Sequence, residues 1–351
     1  MPQAIKLTEN VAIGGDNRAF IIAEIGQNHQ GDINIAKQLI KVAKECGADC
    51  VKFQKTCIAE KFNDAALNRE YSNVNSWGRT YGDHKRFLEF SEEQFFELQS
   101  YSDKLELVFS ASAMDVTSLL FLAKMRVPFI KIGSGDANNF PMLETASKLN
   151  LPLIISTGMQ SMETVDCIYN IVKSEHKDFV LMHCISSYPT PINGINLNVI
   201  NLYREKYQDI NIGYSGHELG IEYSSIAVAM GAKVIERHLT LDHNYKGSDH
   251  ACSLEPHEFK QMVTKIRMLE IALGEPQKLL RKSELPCYQK LGKTLVAARD
   301  LHKGYILTKD DVKVKVAEPK GLDGCELLKV VGKVLLKDFK EDESIMIDDI
   351  H

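Results

Sequence analysis

Eight times along the chain a short, mostly apolar run is followed by a helical segment, and that rhythm leaves few architectures open. The runs are Phe20 to Ile25, Asp49 to Gln54, Leu105 to Ala111, Pro128 to Gly133, Pro152 to Thr157, Phe179 to Cys184, Ile210 to Tyr214 and Ala232 to Ile235. They are continuously apolar rather than alternating, as strands covered on both faces are. The intervening segments repeat at helical spacing. In Ile33 to Cys46 the apolar side is Ile35, Leu39, Ile40, Val42 and Ala43. Asp32 is a good N-cap for that helix and Gly47 a stop. Strands alternating with helices imply a parallel sheet. Eight such units over about 250 residues predict a closed (β/α)₈ TIM barrel, here residues 1–275.

The rhythm stops after Gly274-Glu275-Pro276. Residues 276–293 read as a linker, and 294–351 as a small β-rich domain without a long helix. That domain carries a weak internal repeat, in which Arg299 to Val312 aligns with Lys337 to Ile350 at an offset of 38. So small a unit has a limited core and is expected to pack on the barrel or on a second subunit. A long polar insertion from about Thr56 to Phe90 holds the single Trp, Trp77, and long loops on compact scaffolds are more often functional than decorative.

Composition removes several classes. A net charge of −5 and the lack of a basic block argue against nucleic acid. The N-terminus lacks the apolar core of a signal peptide, and no apolar run is long enough to span a membrane. The eight cysteines include no CxxC pair. Free thiols in a cytoplasmic protein are expected.

In a (β/α)₈ enzyme the chemistry stands where the strands end. Those ends supply Glu24, then Lys52 and Gln54, then Ser110 and Ser112. Next come Lys131, Ser134 and Asp136, followed by Ser156 and Thr157. The sixth end gives His183, Ser186, Ser187 and Tyr188, the seventh Ser215 and His217, and the eighth Glu236 and His238, with Asp249 just beyond. Two lysines among hydroxyls and glycine turns describe an anion site, since each supplies donors to phosphate or carboxylate oxygens. A single serine there is more often a cap or turn residue. A lysine ending an apolar strand is harder to dismiss, because an unpaired buried ammonium is costly. His217 and His238 are 21 residues apart, too far for a helical pair. They meet only if their strands are parallel neighbours, and would then suit a divalent transition metal. The other reading is two unrelated histidines, each hydrogen-bonded locally.

At these residues the chain resembles the N-acetylneuraminate (sialic acid) synthases, in the animal form that makes the 9-phosphate. The resemblance rests on Ala23-Glu24-Ile25-Gly26-Gln27-Asn28-His29-Gln30-Gly31-Asp32, Lys52-Phe53-Gln54-Lys55, Lys131-Ile132-Gly133-Ser134-Gly135-Asp136, Gly213-Tyr214-Ser215-Gly216-His217-Glu218, Glu236-Arg237-His238-Leu239-Thr240 and Lys246-Gly247-Ser248-Asp249-His250. The stretch Leu291 to Ala297 resembles the start of that family's antifreeze-like (SAF, β-clip) domain.

The resemblance implies a transferase that condenses phosphoenolpyruvate with N-acetylmannosamine or its 6-phosphate. Phosphoenolpyruvate would lie against Lys52, Lys131, Ser134, Ser156 and Ser215, with Ser110, Ser186 and Tyr188 nearby. A divalent ion, Mn²⁺ or Mg²⁺, would sit on His217 and His238 and polarise the sugar aldehyde. Gln54, Asp136 and Asp249 would face the sugar, and Glu24 or Asp249 would activate water. The sugar phosphate needs a cation of its own, for which Lys85, Arg86, Arg79 and Lys293 are candidates. Bacterial members carry Asn where this chain has Ser186 and Arg where it has Lys293. The latter residue would reach a partner's active site in a domain-swapped homodimer. Two other readings compete. A Schiff-base aldolase would also use a rim lysine but leaves the histidine pair unexplained. An ice- or carbohydrate-binding protein would act through the C-terminal domain, whose only threonines are Thr294 and Thr308.

Overall fold

Within each apolar run, side chains alternate between the two faces of a strand, and here both faces find an apolar partner. The computed structural model describes residues 2–175 and 177–351. Eight parallel strands close on themselves: β1 (Phe20–Gly26), β2 (Cys50–Lys55), β3 (Val108–Ala113), β4 (Ile130–Ile132), β5 (Leu153–Ser156), β6 (Phe179–Cys184), β7 (Asn211–Gly216) and β8 (Val234–His238). β8 pairs with both β7 and β1, with His238 opposite Glu24. The helix after β1 is α1 (Ile33–Cys46), and those after β2 to β8 are α2 (Glu92–Lys104), α3 (Val116–Lys124), α4 (Phe140–Ser147), α5 (Met162–Glu175), α6 (Asn198–Lys206), α7 (Glu222–Ala229) and α8 (Pro256–Leu273).

The two faces form two cores. Outward side chains such as Ile21, Val51, Phe109, Ile155 and Ile235 pack against the helices. Inward side chains Phe20, Ile22, Cys50, Phe129, Ile154, Val180, Met182 and Val234 fill the lower barrel. A short hairpin, Ile5–Lys6 paired with Ala12–Ile13, adds Ile5 and Ile13 to that inner cluster and plugs the N-terminal end. Two-residue strands carry no periodicity, so the hairpin is not visible in the sequence. Above this floor the inward positions turn polar, and the site begins there.

Asp32 caps α1 by accepting from Asn34 N, and Gly47 ends it at φ +85°, as its sequence requires. The insertion expected as a loop is instead partly helical, with Ile58–Lys61, Asp64–Asn68 and Tyr81–Leu88. Thr80 and Asp83 form a capping box at the last of these. Such short helices are held by caps and aromatic packing rather than by periodicity.

His29, in the loop after β1, stacks on Phe90 with ring centroids 4.1 Å apart. Burial pushes its pKa down to about 3, so it is neutral when folded. The unfolded chain takes up this proton below about pH 6.5, so the contribution is whole above that pH and is lost as pH falls towards the folded value. The drop in melting temperature between about pH 7.5 and about pH 5 is expected to be smaller in His29→Gln than in the parent. Equal drops would assign the acid sensitivity to other groups.

Residues Glu275–His351 form a second compact unit. Its core gathers Leu295, Leu301, Leu307, Val330, Leu335, Phe339 and Ile345 around the paired strands Thr294–Ala297 and Val312–Lys315. The weak repeat has a structural counterpart. Leu301 bridges Phe339, its equivalent at the offset of 38, and the 3₁₀ turns Lys309–Asp311 and Ile347–Asp349 occupy matching positions. Among the described residues no helix is long and apolar enough to cross a membrane.

Candidate active site

The polar layer begins with four buried charges. Lys52 Nζ lies 2.5 Å from Glu24 Oε2 and 3.7 Å from Glu236 Oε1, and Lys131 Nζ lies 3.4 Å from the same Glu236 oxygen. Lys52 also donates to Ser112 Oγ at 2.8 Å, Lys131 to Ser156 Oγ at 2.7 Å, and Ser215 Oγ to Glu236 Oε1 at 3.2 Å. Burial opposes every one of these charges, and the neighbours decide the outcome. Glu236 is held well below the ordinary carboxylate range because Lys131 and Lys52 outweigh its burial. Lys52 is raised because Glu236 and Glu24 outweigh its own. For Lys131 burial wins and the pKa falls, and for Glu24 burial wins and it rises. Ser112 and Ser156 accept from the lysines, so their own O–H protons remain free to donate. The result is a cavity of about 270 Å³ with two ammonium groups on its floor and hydroxyls around them.

The two histidines stand together at one edge of this cavity, ring centroids 5.4 Å apart, with Tyr188 4.2 Å from His217. His217 Nδ1 lies 2.9 Å from the Ile185 carbonyl. A carbonyl only accepts, so Nδ1 carries a proton, and in the neutral ring Nε2 presents a lone pair. Burial lowers the His217 pKa, but Cys184 and the Ile185 carbonyl outweigh it and raise it. Burial pushes His238 down to about 3, which keeps it neutral, and its buried Nδ1 has no hydrogen-bond partner. These features fit a divalent ion. The charge balance fits as well: Lys52 and Lys131 cancel Glu24 and Glu236, so a phosphate-bearing ligand needs further positive charge. Among the described residues no third protein ligand is evident. Among the described residues, three potential ligand atoms all within 4.8 Å of one another occur only at Cys57, Glu60 and Asp115. There Asp115 and Glu60 already accept from backbone N–H groups of Cys57 and of the first turn of α3. An ion held by the histidine pair would therefore leave most of its coordination shell to substrate and water, as open metal sites do.

Residues 39–278 match the family described as the NeuB family, and residues 292–351 match the SAF domain. The chain belongs to the NeuB family. A human protein named N-acetylneuraminate-9-phosphate synthase is 51% identical, with 99% of this chain and 96% of the human one aligned. The Drosophila melanogaster protein of that name is 49% identical over 93% of this chain and 94% of its own. Among solved structures, the sialic acid synthetase of Leptospira borgpetersenii, crystallised with citrate, superposes with a TM-score of 0.73 at 34% identity, covering 82% of this chain and 96% of that one.

In this NeuB-family barrel the cavity gathers Glu24, Lys52, Gln54, Lys131, Ser134, Asp136, Ser156, Ser186, Tyr188, Ser215, His217 and His238. Gln54 donates to Glu24 Oε1 at 3.0 Å, and Asp136 pairs with Lys61 at 3.0 Å. Ser110 is the correction. It sits one layer deeper, its hydroxyl engaged by the Phe129 carbonyl at 2.6 Å, and Ser112 takes its place at the cavity. Both positions face inward, and sequence does not say at which layer the apolar floor ends. Asp249 does not line the cavity, but its field reaches His238. Lys293 belongs to the second unit.

Two residues carry more than their sequence positions suggested. Glu236, noted only as a strand-end acid, is the shared partner of both lysines and Ser215. Arg237, fully buried and facing the other way, pairs with Glu218 Oε1 at 2.9 Å and donates to the Glu218 and Gly220 carbonyls. It thereby fixes the turn that carries His217. A buried Arg and Glu so close to a histidine motif were the available signal.

Gly158 is set by space. A Cβ there would lie 2.3 Å from Ser186 Oγ and 2.8 Å from Ser134 Oγ. Gly158→Ala is expected to displace both hydroxyls and raise KM for the anionic substrate by about tenfold or more while leaving the fold intact. Steady-state kinetics with a thermal melt checks this, and an unchanged KM would place both serines outside the binding site.

Proposed function

We propose that the two lysines hold phosphoenolpyruvate while the histidine side of the same cavity receives the open-chain aldehyde of N-acetylmannosamine 6-phosphate. The chain is a sialic acid synthase, a transferase, as its family and its full-length relatives indicate. One observation supports the finer reading: two buried lysines, joined through Glu236, stand in one cavity with a pair of neutral-capable histidines.

Lys52, Lys131 and the hydroxyls of Ser134, Ser156 and Ser186 bind the phosphate and carboxylate oxygens. Gln54 and Asp136 orient the sugar. A bound Mn²⁺ or Mg²⁺, held by His217 and His238, would supply Lewis-acid polarisation of the aldehyde oxygen. The methylene carbon of phosphoenolpyruvate forms the new C–C bond to the aldehyde carbon, the aldehyde oxygen gains a proton to become a hydroxyl, and water adds to the former enol carbon. Glu24 takes the water proton. Its raised pKa suits a base, and it lines the cavity where Asp249 does not. The C–O bond then breaks, and the hydroxyl supplied by water passes its proton to the departing phosphate as it becomes the ketone of the sugar acid. Lys52 is a poor candidate for a Schiff base, since Glu236 and Glu24 keep it protonated against the effect of its burial. Thr294, one of two threonines an ice-binding face would need, is buried.

The test is product formation from phosphoenolpyruvate carrying a labelled bridging oxygen. The label is expected in inorganic phosphate, with N-acetylneuraminate 9-phosphate formed alongside. Label retained in the sugar acid would mean P–O cleavage and overturn the mechanism. The same reading includes a homodimer in which Lys293 completes the partner's site. Mixing Lys293→Ala and His238→Ala chains should restore some activity, and no recovery despite subunit exchange would exclude it.

A further inference from the structure

Several cations stand on the segment that follows β2, and their partners separate them. Lys55 is tied to Glu89 at 2.5 Å, Lys61 to Asp136 at 3.0 Å, and Arg86 to Asp83 at 3.5 Å. Lys85 differs. Its ammonium donates to Gln27 Oε1 at 3.0 Å, and among the described residues no carboxylate oxygen lies within 4.0 Å of it. It is half-buried and lies 5.4 Å from the centre of the Tyr81 ring. The Arg69 guanidinium lies 4.0 Å from the same ring, and Lys246 Nζ lies 5.0 Å from the Trp77 ring. His84 links the two platforms, its ring 6.0 Å from Tyr81 and 5.6 Å from Trp77. Neither Arg69 nor Lys246 has an ion-pair partner within 4.0 Å among the described residues. Two cations with no carboxylate within 4.0 Å thus lie on Tyr81 and a third on Trp77, the two rings being linked through His84. Burial pulls the Lys85 pKa down, the more distant Asp249 and Glu89 carboxylates offset this only in part, and Arg69 adds to the fall, so an arriving anion is favoured.

The place matters as much as the charge. Gln27 follows Gly26, and a Cβ on Gly26 would lie 3.1 Å from Gln54 Nε2 and 3.5 Å from His238 Cε1. The Asp249 carboxylate acts electrostatically on both His238 and Lys85. Lys85 is therefore tied to the loop after β1 one residue past Gly26, which itself lies against Gln54 and His238. A sugar whose aldehyde carbon reacts at the histidines would send its far end there.

We propose that Lys85, flanked by Arg69 and Lys246, binds the phosphate at the far end of the sugar and so sets the preference for the phosphorylated over the free sugar. The proposal rests on the reading that the sugar aldehyde reacts at the histidine pair. A half-buried ammonium gives a fixed point charge, and an arginine stacked on a ring offers a forked donor held in place.

The experiment measures kcat/KM for N-acetylmannosamine 6-phosphate and for N-acetylmannosamine at saturating phosphoenolpyruvate. In Lys85→Ala the ratio of the two is expected to fall by about 10- to 100-fold, carried by KM for the phosphorylated sugar. Lys85→Arg should recover part of the ratio, and Arg69→Ala or Lys246→Ala should lower it less. Mannitol 6-phosphate, which has no aldehyde, serves as a direct binding probe by calorimetry and should lose affinity in Lys85→Ala. A ratio unchanged in Lys85→Ala, whether both rates fall together or neither does, would overturn the assignment. Parent protein that turns over neither sugar would instead overturn the underlying reading.

Discussion

Glu236→Gln is expected to cut kcat/KM for phosphoenolpyruvate by about 100-fold or more and to lower the melting temperature. The substitution keeps size and shape but removes the charge that two buried ammonium groups share. Glu236 Oε1 lies 3.7 Å from Lys52 Nζ and 3.4 Å from Lys131 Nζ. Removing one partner of a buried ion pair costs about 3–5 kcal/mol, because the other charge is left uncompensated. Lys52 retains Glu24 at 2.5 Å, whereas Lys131 retains only Ser156 as a close partner. Lys131 already sits below the ordinary lysine range through burial, with Glu236 the main opposing influence. Without Glu236 its pKa should fall further. A lysine holds an anion only when protonated, so the variant should lose activity as pH rises through that lowered pKa and regain it as pH falls. A pH profile of kcat/KM beside that of the parent checks this. A variant with the parent's profile and efficiency would show that Glu236 positions neither lysine.

Removing either histidine, His217→Ala or His238→Ala, is expected to reduce turnover by more than about 100-fold, beyond what loss of a group that only hydrogen-bonds to a metal ligand usually costs. The fold should survive. His238 Nδ1 makes no hydrogen bond to lose, and His217 gives up its contacts to the Ile185 carbonyl and the Cys184 thiol. Calorimetric titration with Mn²⁺ should show binding to the parent and none to the variants, which separates a ligand role from a catalytic one. Near-parental activity in a metal-depleted variant would remove the two-histidine site from the mechanism.

Much of this arrangement is written locally. Continuous apolar runs, amphipathic helices and the caps at Asp32 and Gly47 require only neighbouring residues, and they yield eight strand–helix units. Because side chains alternate along a strand, Lys52 and Lys131 are bound to share a face with the inward positions, and the strand ends bring them to one rim. The motif resemblance named most of the cavity for the same reason: strand ends are fixed in sequence. What the sequence left open depends on distances between strands. Ser110 and Ser112 share a face, and only the height of the apolar floor, set by Phe129, Ile154 and Met182 from other strands, decides which hydroxyl meets Lys52. Glu236 bridges two lysines that lie far away in sequence, a relation created by closing β8 against β1. Lys85 is one of several basic residues in a polar segment until folding pairs Lys55, Lys61 and Arg86 with carboxylates and leaves it with none within 4.0 Å. Local sequence settles which elements form and which way their side chains face. Barrel closure decides which charges are partners, because electrostatic compensation depends on separations of a few ångströms between residues that the chain places far apart.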